Sequence, residues 1–280
     1  MKNDTPVPVI KSTGETVPFS MEKLKRSLLR SGASPETASE IVEQVLPKLY
    51  PGIDTRKLHK MAFALLKKRS KKLAAKYHLK RGIMELGPTG FPFEQYVAAL
   101  LKSEGYSVRT GVIAQGVCVN HEIDIIAEKE NTVELYECKY HNHPGIFCDV
   151  KVPLYVRSRF LDVEQMMDKG TEKKFFGGVA TNTKFSHDAI RYGTCIGLKL
   201  LSWDYPDGKA IKDLADTLAL YPITCLTSLT KTEKAHLLGK DVVVCQQVLE
   251  NKKLLDDLEL PESRYTTVLD ELRQICHSAS

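Results

Sequence analysis

The stretch 134-ELYECKYHNHPG-145 decides how the middle of this chain is read. Glu137 stands two positions before Lys139 inside an apolar run. Glu and Lys are seldom fully buried unless paired. Side chains of a strand alternate between its two faces, so positions 133, 135, 137 and 139 share one. Val133 and Leu135 mark that face as buried, which sets Glu137 and Lys139 at the end of an apolar surface. The longer stretch 122-EIDIIAEKENTVELYECKY-140 predicts a hairpin: a strand over Glu122–Ala127, a turn at EKEN, and a strand over Val133–Tyr140. Asp124 sits between Ile123 and Ile125. An Asp is disfavoured in so apolar a strand and needs a reason to be there. If the strands are neighbours, Asp124, Glu137 and Lys139 converge at one end of a sheet.

Such a set suits metal-assisted phosphodiester hydrolysis. Two carboxylates hold a hard Mg²⁺ ion, whose other positions take water and phosphate oxygens. The metal generates the hydroxide nucleophile, and a lysine positions it or stabilises the charge that builds on phosphorus.

Working outward, 92-PFEQYVAALLKSEG-105 predicts an amphipathic helix with Phe93, Val97, Leu100 and Leu101 on one face, ended by Gly105. YSVRTGVI, from Tyr106, predicts a strand. VKVPLYVRSRFLDVEQMMDK, from Val150, reads as a loop followed by a helix. Its Arg157 and Arg159 are either phosphate contacts or plain helix-face charges. From Gly177 to Pro206 the pattern is strand, helix, strand, with Ser186 capping a helix that begins at His187. His121 could line a site beside Asp124. His141 and His143 could touch a phosphate or simply be solvated. The string HNH at 141–143 is too short to be the nuclease motif of that name.

FEQYVAALLKSEGY with HEIDIIAEKENTVELYECKYH resembles the PD-(D/E)XK nuclease core, and the Mrr-like restriction endonucleases in particular. The resemblance covers about residues 91–205. It implies an α/β/α sheet domain and the positions Glu94, Asp124, Glu137 and Lys139, with Asp124 and Glu137 as metal ligands. Glu94, further away on the helix, is expected to matter less. Ile123 stands where the family often has Pro. The competing reading is an inert nuclease fold that only binds DNA.

The first third has a different character. Residues 1–88 carry 18 Lys+Arg against 8 Asp+Glu, whereas residues 89–209 carry 14 against 16 and residues 210–280 carry 8 against 11. An anionic partner is therefore invited most strongly by the N-terminus. The run 67-KKRSKK-72 either serves that role or solvates a helix face. A short strand is expected over Val7–Lys11. Helices are expected over Met21–Ser31 (capped by Ser20), over Thr37–Leu46 (Ser34 cap, Pro35 at N1), from Thr55, and around Tyr77–Leu86. GPTGFP at 87–92 breaks the chain.

Residues 9–28, VIKSTGETVPFSMEKLKRSL, resemble the ATP-cone, a nucleotide-sensing domain of ribonucleotide reductases and their repressors. The pattern is carried by Val9, Lys11, Gly14, Phe19, Lys23 and Leu24, and continues through 51-PGIDT-55. It implies that ATP or dATP is held by Val9, Lys11, Lys23 and Thr55, Thr55 reading the adenine. A triphosphate needs cations from different elements, and Lys11 and Lys23 come from a strand and the next helix. Ser12 and Thr13 depart from the pattern's usual basic residue and Asp or Asn. A small basic helical domain that binds nucleic acid or a partner is the other reading.

The segment 226-LTSLTKTEKAHLLGKDVVVCQQVLEN-251 has the shape of a helix-hairpin-helix: Lys231–Leu238, a turn at Gly239, and a second helix from about Val242. It could meet a DNA phosphate or serve a structural or dimerising bundle. A last helix is expected over Arg264–His277.

The chain is thus expected to be α/β, in three parts: residues 1–88 a small, mostly helical ATP-cone, 89–209 a nuclease-like sheet domain, and 210–280 a helical region. No apolar run approaches the ~20 residues a membrane helix needs, and MKNDTPVPVIKSTGE shows no secretory signal. Seven scattered cysteines without a CxxC pair argue for reduced thiols in a cytosolic, cytoplasmic compartment and against a disulfide framework or a zinc site. Three functions from different classes follow: a nucleotide-regulated, Mg²⁺-dependent DNA endonuclease, a DNA-binding regulator sensing ATP or dATP, and an assembly module. The expected partners are DNA, a nucleoside triphosphate and further copies of the chain, with no membrane.

Overall fold

The computed structural model describes residues 7–276 apart from Ser12, Asp168, Lys169 and Thr171. The pattern departure at Ser12 and the expected helix end at His277 lie outside the described residues. Serines set the first helix starts. Ser20 Oγ accepts the N–H of Lys23 and opens α1 (Met21–Arg30), and Ser34 Oγ accepts that of Thr37 and opens α2 (Pro35–Val45). Strand β1 (Pro8–Ile10) pairs antiparallel with β2 (Thr16–Pro18), which the sequence reading missed, and parallel with the two-residue β3 (Ile53–Asp54). Helix α3 (Thr55–Arg69) follows, with Asp54 as its N-cap. Val9, Leu28, Ile41, Val45, Ile53 and Leu66 fill the core of this unit.

Ser70 interrupts the basic run and caps α4 (Lys71–Met84), which starts six residues before the expected Tyr77. The run 67–72 is therefore the end of one helix and the start of the next, not one solvated face. α4 is buried on two sides. Ala74 lies in the N-terminal core, while Ala75, Leu79 and Ile83 lie in the main core with the sheet and the C-terminal helices. The boundary drawn after residue 88 thus falls beyond a helix that both cores share.

The sheet has the order β10-β8-β6-β5-β4. β4 (Ser107–Gln115), β5 (Asn120–Lys129) and β6 (Thr132–Lys139) form an antiparallel meander, and β8 (Lys174–Thr181) and β10 (Lys199–Leu201) add to it in parallel. A two-residue turn joins β5 to β6, with Glu130 at φ 52°. α5 (Phe91–Ser103) covers one face through Phe93, Val97 and Leu100, packed with Ile125, Ala127 and Tyr136. α6 (Lys151–Met167) covers the other through Phe160 and Val163, packed with Val133 and Leu135. α6 begins directly at Lys151, so the loop expected before it is absent. α7 (His187–Cys195) is capped by Ser186 as the sequence indicates, and a small ladder of β7 (Phe147–Cys148) with β9 (Lys184–Phe185) precedes it.

The C-terminal region contains α8 (Ile211–Thr217), α9 (Lys231–Leu238), α10 (Cys245–Glu250) and α11 (Glu262–Cys276). The second helix of the expected hairpin is only six residues long and starts at Cys245, not Val242. The reason is the run Val242–Val244. β-Branched side chains favour extended backbone, and all three valines are buried, with Val244 bridging to Pro222 and Val243 O accepting the N–H of Ile223. A helix-hairpin-helix turn is therefore not formed here. Among the described residues, all seven cysteines are free and no helix is long and apolar enough to cross a membrane.

Candidate functional site

The site lies where β5 and β6 part. Their ladder runs from Lys129↔Thr132 to Ile125↔Tyr136 and stops there. Ile123 and Ile125 should share a face, yet Ile123 packs on the α6 side and Ile125 on the α5 side. The alternation breaks at Asp124. On β4 the position between the pairs Thr110↔Ile125 and Val112↔Ile123 is Gly111, at φ +60°. A left-handed glycine in a strand marks such a distortion. Freed from the pleat, the Asp124 carboxylate turns across to β6 and accepts the backbone N–H of Cys138 at 2.7 Å. This is why so apolar a strand tolerates an Asp: the side chain satisfies a backbone donor that the diverging strand has left unpaired.

That bond sets Asp124 against the peptide between Glu137 and Lys139. Glu137 faces α6 and forms a partly buried ion pair with Arg159, whose guanidinium also donates to the carbonyl of Glu122. Arg159, one of two open candidates, therefore belongs to the site. Arg157 instead lies over the ring of Phe160. Lys139 is exposed at the strand end and acts electrostatically on Asp124, Glu137 and His141.

Glu94 projects from the first turn of α5 into the same field. Burial is the largest cause of its raised pKa, with Asp124, Glu122 and Glu137 adding repulsion, and it reaches about 7. It lies closer to the centre, electrically, than its place on a helix suggested. Burial also raises Asp124, against the opposing pull of the Cys138 N–H and Arg159. Burial raises Glu137, with Asp124 adding to it. Glu122 was missed in the sequence because a carboxylate at a strand start looks solvated. Among the described residues, no three His, Cys, Asp or Glu side chains are poised to hold a metal ion together. The two carboxylates Asp124 and Glu137 are hard oxygen donors, which suits an ion that binds through one or two carboxylates and completes its shell with water and phosphate.

The histidines separate. His121 Nε2 pairs with Asp162 Oδ2 at 2.8 Å, and Asp162 also takes the N–H groups of Cys118 and Val119. This pins the β4–β5 turn to α6, so His121 is a structural partner. The hydrogen bonds hold Asp162 well down, at about 2. His141 Nδ1 meets Thr183 Oγ1 at 2.9 Å, and burial with Lys139 nearby lowers its pKa. His143 is exposed in the loop that follows.

In the N-terminal unit, parallel pairing of Ile10 with Asp54 brings Lys11 and Thr55 to the same strand end. Val9 is buried, and Lys11 pairs with Glu15 at 2.8 Å. Lys23 is exposed on the first turn of α1. Contacts near Lys139 link this unit and the end of α4 to the sheet site. A Cβ on Gly145 would sit 2.6 Å from Thr13 Cγ2, so the β1–β2 turn rests on the loop after β6. Tyr140, the residue after Lys139, donates to the Met84 carbonyl at 2.8 Å and accepts the Gly87 N–H at 2.8 Å.

Comparison with known proteins bears on both units. Residues 7–83 match the ATP cone domain, and residues 221–276 match the AF1548-like, C-terminal family. An uncharacterized protein of Archaeoglobus fulgidus is 35% identical over 180 residues, spanning 64% of this chain and 99% of that protein. The crystal structure of AF1548, a protein of unknown function, is similar at 34% identity and a TM-score of 0.55, covering 67% of this chain and 98% of that chain. The MspJI restriction endonuclease in complex with a 27-mer oligonucleotide aligns at 14% identity with a TM-score of 0.32, over 75% of this chain and 44% of that one.

Proposed function

The chain belongs to the AF1548-like family and carries an ATP cone domain at residues 7–83, and on that premise we propose that it is a nucleotide-regulated, Mg²⁺-dependent DNA endonuclease of the PD-(D/E)XK, Mrr-like kind. One observation carries the reading. Asp124, half-buried in an apolar strand, leaves the pleat to stand beside Glu137 and Lys139, with Glu94 in the same field. A sheet covered by α5 on one face and α6 on the other supports the reading, since the nuclease resemblance implies an α/β/α sheet domain.

Asp124 and Glu137 are the residues that would hold Mg²⁺, which supplies a hydroxide nucleophile at neutral pH and offsets charge on the phosphorane. Arg159 now neutralises Glu137. Its contact is to Glu137 Oε2, and its guanidinium could meet a phosphate oxygen bidentately. Lys139 orients the attacking water or stabilises the developing charge. With a pKa of about 7, Glu94 can both take and return a proton near neutrality.

Regulation would pass through these contacts between units. Nucleotide held by Val9, Lys11, Lys23 and Thr55 would act on the β1–β2 turn, which rests on the loop after Lys139. Occupancy shifts the site only if its two states bind nucleotide differently. Cleavage of supercoiled plasmid with Mg²⁺, with and without ATP or dATP, tests the proposal. Asp124→Ala and Lys139→Ala should abolish nicking while DNA binding and the circular-dichroism spectrum persist. Wild-type activity in the Lys139→Ala protein would sink the assignment. A wild-type protein that binds DNA but never cuts it would favour the inert regulator.

A further inference from the structure

A second basic site lies away from the sheet. A cavity of about 260 Å³ opens between α3 and α4 on one side and the segment 225–234 on the other. Lys60 and Lys67 of α3, Arg81 of α4, and Lys231 and Lys234 of α9 line it. Glu85 is the one carboxylate among its lining residues, and Arg81 already holds it. None of the four lysines forms an ion pair among the described residues. Lys67 Nζ and Lys234 Nζ reach only the backbone carbonyls of Thr227 and Thr224, at 2.9 and 2.8 Å. Five cations thus face one shared, already paired carboxylate, with Glu271 and Asp54 acting on Lys234 and Lys60 from outside the lining.

Two further observations concern its lining. Thr227 Oγ1 and His78 Nδ1, both on lining residues, are buried without a hydrogen-bond partner. Buried polar atoms without partners are costly and uncommon. The wall that bears Thr227 is also held firmly. The buried carboxylate of Glu271 accepts the backbone N–H groups of Thr227 and Ser228 at 2.7 and 2.8 Å.

We infer that this cleft binds a compact oligophosphate, gripped by Lys60, Lys67, Lys231 and Lys234, with Thr227 as an added hydrogen-bond donor. Lysine suits phosphate as a point charge that needs no fixed fork geometry. The space is below the ~300–1,000 Å³ usual for drug-sized ligands, so the phosphate chain and not a whole nucleotide fills it. The source is either free inorganic polyphosphate or the triphosphate tail of a nucleotide whose base stays outside. The site shares no residue with the Lys11 and Lys23 set. Its lysines come from the ATP cone domain and from the C-terminal region, so a bound anion would fasten one to the other.

Calorimetric titration of the full-length protein with inorganic tripolyphosphate tests this. Lys60 and Lys231 are exposed and form no ion pair among the described residues, so Lys60→Gln/Lys231→Gln should fold normally, checked by a urea midpoint at or above the wild-type value. That variant should bind about tenfold or more weakly, as the loss of charge-assisted contacts requires. Lys11→Ala/Lys23→Ala should still bind tripolyphosphate, and in that background ATP should compete for the site while adenosine does not. If instead ATP fails to compete, free polyphosphate is the ligand and the site stands. Unchanged affinity in the Lys60→Gln/Lys231→Gln protein overturns the inference, as does loss of all binding in Lys11→Ala/Lys23→Ala. So does a result in which only duplex DNA binds through these lysines. Each of these outcomes can be read whether or not the protein cuts DNA.

Discussion

Replacing Glu94 by Gln should make the protein more stable at neutral and alkaline pH. The pKa of Glu94 is pushed to about 7 by burial and by three carboxylates, from an ordinary 4.5. A carboxyl whose folded pKa lies above its unfolded value binds more protons when folded. It therefore weakens the fold as pH rises, starting near 4.5 and complete above about 7. At 1.36 kcal/mol per unit, a gap of about 2.5 units corresponds to roughly 3.4 kcal/mol. The carboxyl is only half buried, and solvent screening reduces this to about 1–2 kcal/mol. Urea denaturation of wild type and Glu94→Gln at pH 5 and pH 8 measures it. The variant should gain about 1–2 kcal/mol at pH 8, and the difference should shrink to a few tenths at pH 5. A difference of equal size at both pH values would refute the electrostatic account, as would a wild type that is the more stable at pH 8.

Further expectations concern the joints between units. Size-exclusion with light scattering should show ATP or dATP changing the oligomeric state, and Lys11→Ala/Lys23→Ala should erase the change. No binding at millimolar nucleotide would turn the N-terminal unit into a plain DNA-binding arm. Glu271→Ala strands two loop N–H groups in a buried setting and should cost about 3 kcal/mol in urea unfolding, whereas Glu271→Gln, which keeps an acceptor, should cost less. Tyr140→Phe removes the hydrogen bonds to the Met84 carbonyl and the Gly87 N–H and should cost about 1–2 kcal/mol. An unchanged midpoint would mean that those hydrogen bonds carry no net weight.

Local chemistry was legible in the sequence wherever one or two neighbours fix the outcome. Ser20, Ser34 and Ser186 cap helices where their side chains can reach an N–H three residues on, and nothing distant is needed. The alternation of Val133 and Leu135 named the face of β6 that α6 covers, because the strand period is a property of the backbone, but not that Glu134, Tyr136 and Cys138 on the other face are buried too. The charge of residues 1–88 named the basic unit by counting alone. Asp124, Glu137 and Lys139 could be proposed as neighbours, but not how they meet. The break in alternation at Asp124 depends on Gly111 in the next strand, which no local pattern links to it. Arg159 could not be assigned a partner, since Glu137 is 22 residues away and is reached only when α6 crosses the sheet. The Val242–Val244 run defeated the helical reading because its burial against residues 221–223 outweighed the nearby helix pattern. α4 shows the limit most clearly. Its small and aliphatic residues signal a helix, but only packing from both sides decides that one helix serves two cores and so joins the ATP cone domain to the rest of the chain.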